Sequence, residues 1–351
     1  MKIGIVGLPN VGKSTLFKAL TKKQVDTSNY PFCTIDPNVG VVAVPDERLQ
    51  QLADLYHSEK IVPAAIEFVD IAGLVKNAHK GEGLGNQFLS HIREVDAIAH
   101  VIRNFQDENV THVAGKIEPG EDLNTIETEL AMADIATIEK VLIKIESKIK
   151  SNDKDAPGQK IILKNIIIAL DKGKKPDIAE LKDDEQKFIK GLSLLSLKPE
   201  LFIENIGEEQ LNNFKPVIPN SIPICAKLES ELADLDGTEA KNYLKELNIK
   251  KTGLDQLIVE SYKLLNLITF FTAGPKESHA WTIVSGTKAP AAAGKIHTDF
   301  EQGFIRAEII NWKNLLDAGG EIPAKEKGQM KIEGKDYIMR DGDVVYFRFS
   351  K

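Results

Sequence analysis

The sequence has few cysteines, no long apolar segment and no excess of positive charge, and each of these absences excludes a class of protein. Two cysteines, Cys33 and Cys225, cannot form the disulfide framework of a small secreted domain. No apolar run reaches the roughly 18 residues that a membrane-spanning helix needs. The N-terminus reads Met-Lys-Ile-Gly-Ile-Val-Gly, which favours a strand over a signal peptide. We therefore expect a cytoplasmic protein without a membrane partner.

The overall composition is that of a globular protein with a sizeable core. Of 351 residues, 42% are apolar and 28% are charged, and the length predicts two or three domains. The net charge of −7 argues against a general nucleic-acid coat protein, and we expect no DNA partner. From Leu267 onward, 12 Lys and Arg face 11 Asp and Glu. This part could approach RNA without strong repulsion, but it forms no basic patch.

Short apolar runs alternate with helical patterns along most of the chain. The first run, residues 2–6, leads into a Gly-rich loop and then a helical pattern from Lys13 to about Thr21. This order is the opening of an α/β unit. Such runs are typical of a mostly parallel sheet that is covered on both faces, so the predicted fold class is α/β. Further runs cover residues 40–44, 65–69, 97–102, 201–203 and 222–225.

Two segments depart from this alternation. From about residue 123 to 196, apolar residues recur every three or four positions. We predict a helical insertion there, a hairpin of long helices, with extra helices packed on the sheet as the alternative. From about residue 266 the pattern becomes β-rich, which predicts a small separate α+β domain. The predicted domains are therefore residues 1–265 and 266–351.

The loop after the first run matches the P-loop pattern as Gly7-Leu-Pro-Asn-Val-Gly-Lys-Ser14. Its glycines let successive backbone N–H groups point at phosphate oxygens, and the following helix adds its positive N-terminus. Lys13 is expected to bridge the β- and γ-phosphates, and Ser14 to offer its hydroxyl to Mg²⁺. The predicted phosphate-binding residues are Asn10, Val11, Gly12, Lys13, Ser14 and Thr15.

A second nucleotide motif, Asp70-Ile-Ala-Gly73, follows the run 65–69. Asp70 is predicted to hold Mg²⁺ through a water, and the Gly73 N–H to reach the γ-phosphate as part of the catalytic set. Between the two motifs, a switch of this kind needs a threonine that completes the Mg²⁺ coordination. Thr34 in Asn29-Tyr-Pro-Phe-Cys-Thr34 is the preferred candidate. Thr27 competes with it, and a plain surface turn is the alternative.

The chain has no Asn-Lys-x-Asp, the motif with which a GTPase reads guanine. Asn104-Phe-Gln-Asp107 is similar but follows the wrong strand, so the better-placed segment is Asn205-Ile-Gly-Glu208. Cys225-Ala-Lys227 then stands where such enzymes place Ser-Ala-Lys. With Ile206 for the lysine and Glu208 for the aspartate, the guanine preference should be weakened or lost. The predicted base-site residues are Asn205, Glu208, Cys225, Ala226 and Lys227.

Taken together, these motifs resemble the YchF/Obg-like ATPase family. The P-loop, residues 29–34, residues 70–74, Gly81-Glu-Gly-Leu-Gly85 and Asn205-x-x-Glu208 occur in the family's order. Residues 297–308 and 334–337 resemble its C-terminal TGS domain, a ubiquitin-like β-grasp module. The resemblance implies an Obg-type P-loop G domain with an inserted helical hairpin and a TGS domain. It also implies hydrolysis of ATP in preference to GTP, with Mg²⁺, and association with ribosomes or ribosomal RNA.

The sequence pattern leaves more than one candidate for the catalytic group. Leu74 stands where many GTPases have a glutamine that orients the attacking water, so intrinsic hydrolysis should be slow. The resemblance points to His112, since a histidine can position or deprotonate water near neutral pH. His79 and His91 are the weaker alternatives, and a surface histidine without a role is the simplest one.

Three functions compete. The leading hypothesis is an ATP-hydrolysing switch that acts on the translation machinery. An Obg-type GTPase is favoured only if Asn205-Ile-Gly-Glu208 still reads guanine. A non-catalytic, nucleotide-gated module that binds RNA or ribosomes is favoured if Leu74 marks a loss of hydrolysis.

Overall fold

A computed structural model describes residues 1–23, 36–71, 84–107, 110, 115–249 and 251–350. The strands are β1 (Lys2–Val6), β2 (Val39–Ala43), β3 (Lys60–Val62), β4 (Ala65–Asp70), β5 (Ala97–Asn104), β6 (Glu200–Ile206), β7 (Ile222–Ile224), β8 (Leu267–Ala273), β9 (Glu277–Val284), β10 (Phe304–Asn311), β11 (Lys331–Glu333) and β12 (Asp343–Phe349). The helices are α1 (Lys13–Lys22), α2 (Glu47–Tyr56), α3 (Leu84–Glu94), α4 (Pro119–Lys150), α5 (Ala156–Asp171), α6 (Asp183–Lys190), α7 (Ala226–Leu232), α8 (Gly237–Glu246), α9 (Gly253–Leu264), α10 (Ala289–Ile296), α11 (Thr298–Gln302), α12 (Trp312–Ala318) and α13 (Glu321–Glu326).

The chain divides into two compact units. The first consists of Met1–Lys22, Asp36–Gly40 and Phe68–Gly253, and the second includes Val41–Glu67 together with Leu254–Lys351. No helix in the described part of the chain is both long and apolar enough to cross a membrane.

The first sheet has the strand order β2-β4-β1-β5-β6-β7, and its pairs β1–β5, β5–β6 and β6–β7 are parallel. Every residue of β5 except the last is buried, which is expected of a strand with both faces covered. Helix α1 buries Leu16, Ala19 and Leu20, which recur at the spacing of one helical face. The predicted α/β class with a mostly parallel sheet is confirmed.

The predicted helical insertion is also confirmed as a hairpin. Helix α4 has 32 residues and α5 has 16, and the chain reverses between them at residues 151–155. The Asp153 carboxylate accepts hydrogen bonds from the backbone N–H groups of Asp155 and Ala156, which fixes the start of α5. Buried side chains of both helices, among them Ile138 and Leu163, form one apolar cluster.

The second unit contains a sheet in the order β11-β10-β12-β8-β9-β3, which gives the predicted small α+β part of the chain. Strand β3, far away in sequence, pairs in parallel with β9. Helix α2 belongs to the same unit, because Arg48 donates to Asp341 at 2.6 Å and the Tyr56 and Tyr346 hydroxyls lie 3.1 Å apart. The division at residue 265/266 concerns independent folding and stays a prediction.

Candidate nucleotide-binding site

The Gly-rich loop joins the buried end of β1 to α1. Part of its backbone lies in the left-handed region, which glycine adopts more easily than other residues. Asn10 has φ 62° and Gly12 has φ 96°, both in the left-handed region. A Cβ atom on Gly12 would lie 2.1 Å from Asn205 Nδ2, and one on Gly7 would lie 2.5 Å from the Val101 carbonyl oxygen. The two glycines of the motif are therefore required by backbone shape and by close contacts.

Lys13 lies at the first position of α1 and is 8% exposed. Its ammonium group donates a hydrogen bond to the Leu8 carbonyl oxygen at 2.7 Å. Burial lowers the pKa of Lys13 from 10.5 to about 8, and the Asp70 carboxylate opposes this shift. Burial likewise raises the pKa of Asp70, with Lys13 as the opposing charge. The charges of Lys13 and Asp70 thus interact in a partly desolvated site, and a bound anion would stabilise the Lys13 ammonium group.

A cavity of about 680 Å³ opens over this loop, a size common for small-molecule sites. Four segments line it: Asn10 with Gly12–Thr15, residues 105–107 with Val110, residues 205–209, and residues 225–227. The last three follow β5, β6 and β7, so the cavity lies at the carboxyl ends of parallel strands, where open α/β sheets bind ligands. All the predicted phosphate- and base-site residues line it except Val11, whose side chain is buried.

Asn205 connects two walls of the cavity. Its Nδ2 donates to the Val11 carbonyl oxygen at 2.9 Å, and its Oδ1 accepts from the Ala226 backbone N–H at 3.0 Å. Asn205 is 5% exposed, so these bonds form in a water-poor place where they hold the loops firmly. Both ends of its amide are therefore engaged in joining the P-loop to the segment after β7.

Glu204, the residue before Asn205, is fully buried and was not singled out from the sequence. Its Oε1 accepts from the Ser221 hydroxyl at 2.6 Å and from the backbone N–H groups of Val217 and Ile218. Its Oε2 accepts from Asn104 Nδ2 at 2.6 Å. These four donors satisfy a buried carboxylate and fix the end of β6, so the side chain of Asn104 is occupied with β6.

At the far side of the cavity, the predicted base-site residues 208 and 227 pair with each other. Lys227 Nζ lies 3.0 Å from Glu208 Oε1, and the lysine side chain is 74% exposed. Cys225 is buried, and burial raises the pKa of its thiol, so this thiol stays protonated near neutral pH. The Glu208 carboxylate is thus held by a cation in this arrangement.

Sequence reasoning missed the wall made by Phe105, Gln106, Asp107 and Val110. The signal was present, since this segment follows β5, the strand next to β6. The sequence pattern instead led to rejecting Asn104–Asp107 as a guanine-binding motif and to assigning the following loop only the candidate His112. Other candidates lie outside the described residues: Thr27, Thr34, Gly73, Leu74, His79 and His112. His91 lies on α3, exposed and not on the cavity wall.

Comparisons with known proteins agree with this geometry. A profile described as a 50S ribosome-binding GTPase matches residues 2–172. A profile for the C-terminal part of YchF GTPases, described as a protein of unknown function, matches residues 267–350. The ribosome-binding ATPase YchF of Bacillus subtilis is 51% identical over 99% of this chain and 98% of its own length. That of Haemophilus influenzae is 48% identical, with 99% of each chain covered.

Solved structures give the same picture. The YchF GTPase of Schizosaccharomyces pombe is 39% identical, with 99% of this chain and 97% of that chain covered, at a TM-score of 0.87. A GTP-binding protein from Pyrococcus horikoshii is 20% identical over 100% of both chains, at a TM-score of 0.60, and shares the fold. The predicted P-loop G-domain fold is therefore confirmed.

Proposed function

The chain belongs to the YchF family, and from this membership we propose that it is a Mg²⁺-dependent P-loop ATPase that prefers ATP to GTP. We propose further that it is a nucleotide-dependent switch that associates with ribosomes. The observation that carries the proposal is the 680 Å³ cavity, which the P-loop and residues 205–208 line together. The Obg-type and TGS assignments of the two parts of the chain belong to the same proposal.

The phosphate end of the cavity has the groups that triphosphate binding requires. Lys13 supplies a buried positive charge, and the backbone of Gly12–Thr15 opens α1, whose N-terminus favours anions. Such preorganised groups in a water-poor site stabilise the charge that develops during phosphoryl transfer.

The residues near Lys13 also suit Mg²⁺, which prefers oxygen ligands. Ser14 contributes a hydroxyl on the cavity wall, and Asp70 contributes a carboxylate close enough to Lys13 to shift its pKa. We propose that Ser14 holds the ion directly and Asp70 through a water, with Thr34, outside the described residues, as the third ligand. Bound there, Mg²⁺ would neutralise charge on the transferring phosphoryl group.

We expect ATP to bind more tightly than GTP. Asn205 has both amide atoms engaged with the protein, and Glu208, which stands in place of the guanine-reading aspartate, is paired with Lys227. Calorimetric titration with each nucleotide and Mg²⁺ tests this. GTP binding tenfold tighter than ATP, a difference of about 1.4 kcal/mol, would contradict the preference and favour a GTPase.

We propose His112 as the residue that replaces the water-orienting glutamine. Because Leu74 stands in place of that glutamine, we expect the chain without ribosomes to hydrolyse ATP slowly. The rate should be of the order of 10⁻⁴ to 10⁻² s⁻¹, as in P-loop switches without a supplied catalytic group. Replacing His112 with alanine should lower turnover and leave ATP affinity nearly unchanged, because the group acts only in the transition state. His91→Ala tests the weaker candidate on α3 and should leave turnover unchanged, because His91 is exposed and does not line the cavity. Equal turnover of His112→Ala and the parent chain, with and without ribosomes, would exclude His112.

A further inference from the structure

Arg103, near the end of β5, is the largest fully buried side chain among the described residues. Its guanidinium group donates three hydrogen bonds to backbone carbonyl oxygens: Phe105 at 3.2 Å, Asp107 at 3.3 Å and Val110 at 2.9 Å. The guanidinium carbon also lies 4.5 Å from the centre of the Phe105 ring. Every one of these contacts falls on the cavity wall formed by Phe105, Gln106, Asp107 and Val110.

Burying the charged guanidinium group of Arg103 costs free energy of folding, so we expect its contacts to serve the function of the site. In the described part of the chain, three backbone carbonyl dipoles and an aromatic face offset the buried charge of Arg103. The planar guanidinium carries five N–H donors spread over three nitrogens, and it reaches the carbonyl oxygens of Phe105, Asp107 and Val110 at once. The side chain thus fixes residues 105–107 and 110, which belong to no helix or strand.

The register of the sheet shows which segments flank this loop. Arg103 pairs with Asn205 and Asn104 with Ile206, across the parallel strands β5 and β6. Strand β5 lies between β1 and β6, so Phe105–Asp107 leaves the sheet with residues 207–209 on one side and the P-loop on the other. Phe105 brings an aromatic ring to this wall, a group on which a base can stack and which offers nothing to phosphates.

We propose that Arg103 is a positioning residue for nucleoside recognition. It holds the Phe105–Asp107 wall against the base and ribose of a bound nucleotide, and so sets the affinity for the nucleoside and not for the phosphates. The inference rests on the proposed function, because it requires ATP to occupy this cavity.

The test compares two ligands, Mg²⁺–ATP and inorganic triphosphate with Mg²⁺, by calorimetric titration of the full chain. In Arg103→Gln we expect the Kd for ATP to rise about tenfold, the effect of losing one base–aromatic contact. The Kd for triphosphate should change less than about twofold, since the phosphate end is untouched. Arg103→Lys should behave like Arg103→Gln. The lysine ammonium has its donors on one nitrogen and cannot reproduce the three coplanar nitrogens with which the guanidinium bonds the three carbonyls.

His100→Asn is the matched control for damage to the fold. His100 lies three residues earlier on β5, is fully buried, and contacts Glu200 and Phe202, none of which lines the cavity. It should lower the thermal unfolding temperature as the Arg103 variants do, yet leave the Kd for ATP unchanged. Phe105→Ala tests the same wall from a half-buried position and should weaken ATP alone. Its effect should not add to that of Arg103→Gln.

Several results would overturn the inference. These are unchanged ATP affinity in a folded Arg103→Gln chain, equal loss for triphosphate and ATP, full rescue by lysine, or unchanged ATP affinity in Phe105→Ala. Failure of the parent chain to bind ATP at all would instead refute the proposed function, so the two failures are distinguishable.

Discussion

Replacing Lys13 with alanine should lower the rate of ATP hydrolysis by about a hundredfold or more and remove tight ATP binding. The ammonium group is the buried positive charge beside the P-loop, where water cannot screen its attraction to phosphate oxygens. Steady-state hydrolysis and calorimetric titration with Mg²⁺–ATP measure both effects.

The variant should remain folded, which makes the result interpretable. Burial lowers the pKa of Lys13 from 10.5 to about 8, which shows that the charged form is less favourable in the folded, unliganded protein than in water. The charge therefore does not contribute favourably to the free energy of folding, and its removal should not unfold the protein. Lys18→Ala, on the exposed face of α1, is the matched control and should bind ATP normally. A folded Lys13→Ala chain with normal affinity and turnover would remove the phosphate site from this loop.

Replacing Gly12 with alanine should weaken ATP binding about a hundredfold and destabilise the first unit. At φ 96° a residue with a side chain is strained, at a cost of about 1–3 kcal/mol. The new Cβ would also lie 2.1 Å from Asn205 Nδ2 and displace the amide that bonds the Val11 carbonyl. Thermal unfolding and ATP titration report the two consequences.

Gly120→Ala serves as the glycine control, because a Cβ there meets no atom within 4 Å. It lies in the first turn of α4, where alanine is a better helix former than glycine. We expect it to keep full ATP affinity and equal or higher stability. If Gly12→Ala bound ATP within about threefold of the parent chain, the Gly12–Asn205 contact would not matter for the site.

Local patterns in the sequence accounted for the elements that depend on neighbouring residues. The P-loop is of this kind, since a strand, two glycines and a helix start are all contained in residues 2–22. The helical hairpin is another, because the apolar spacing of α4 and α5 shows their buried faces directly.

Contacts between distant parts of the chain could not be predicted in this way. Asn205 and Val11 are 194 residues apart in the sequence. Their hydrogen bond can be recognised only when the folded sheet brings the end of β6 close to the P-loop. The buried face of α2, with Leu49 and Leu52, is clear from its spacing, but nothing local shows that Arg48 meets Asp341. Arg103 was missed because its role depends on where the loop after β5 turns.

The most direct test of the account is a crystal structure of the chain with Mg²⁺ and a slowly hydrolysed ATP analogue. We expect the triphosphate on Gly12–Thr15 with Lys13 at its β- and γ-oxygens, Mg²⁺ at Ser14, and adenine between residues 105–107 and 205–208. A nucleotide bound outside this cavity, or one whose base lies away from both of those segments, would contradict the account.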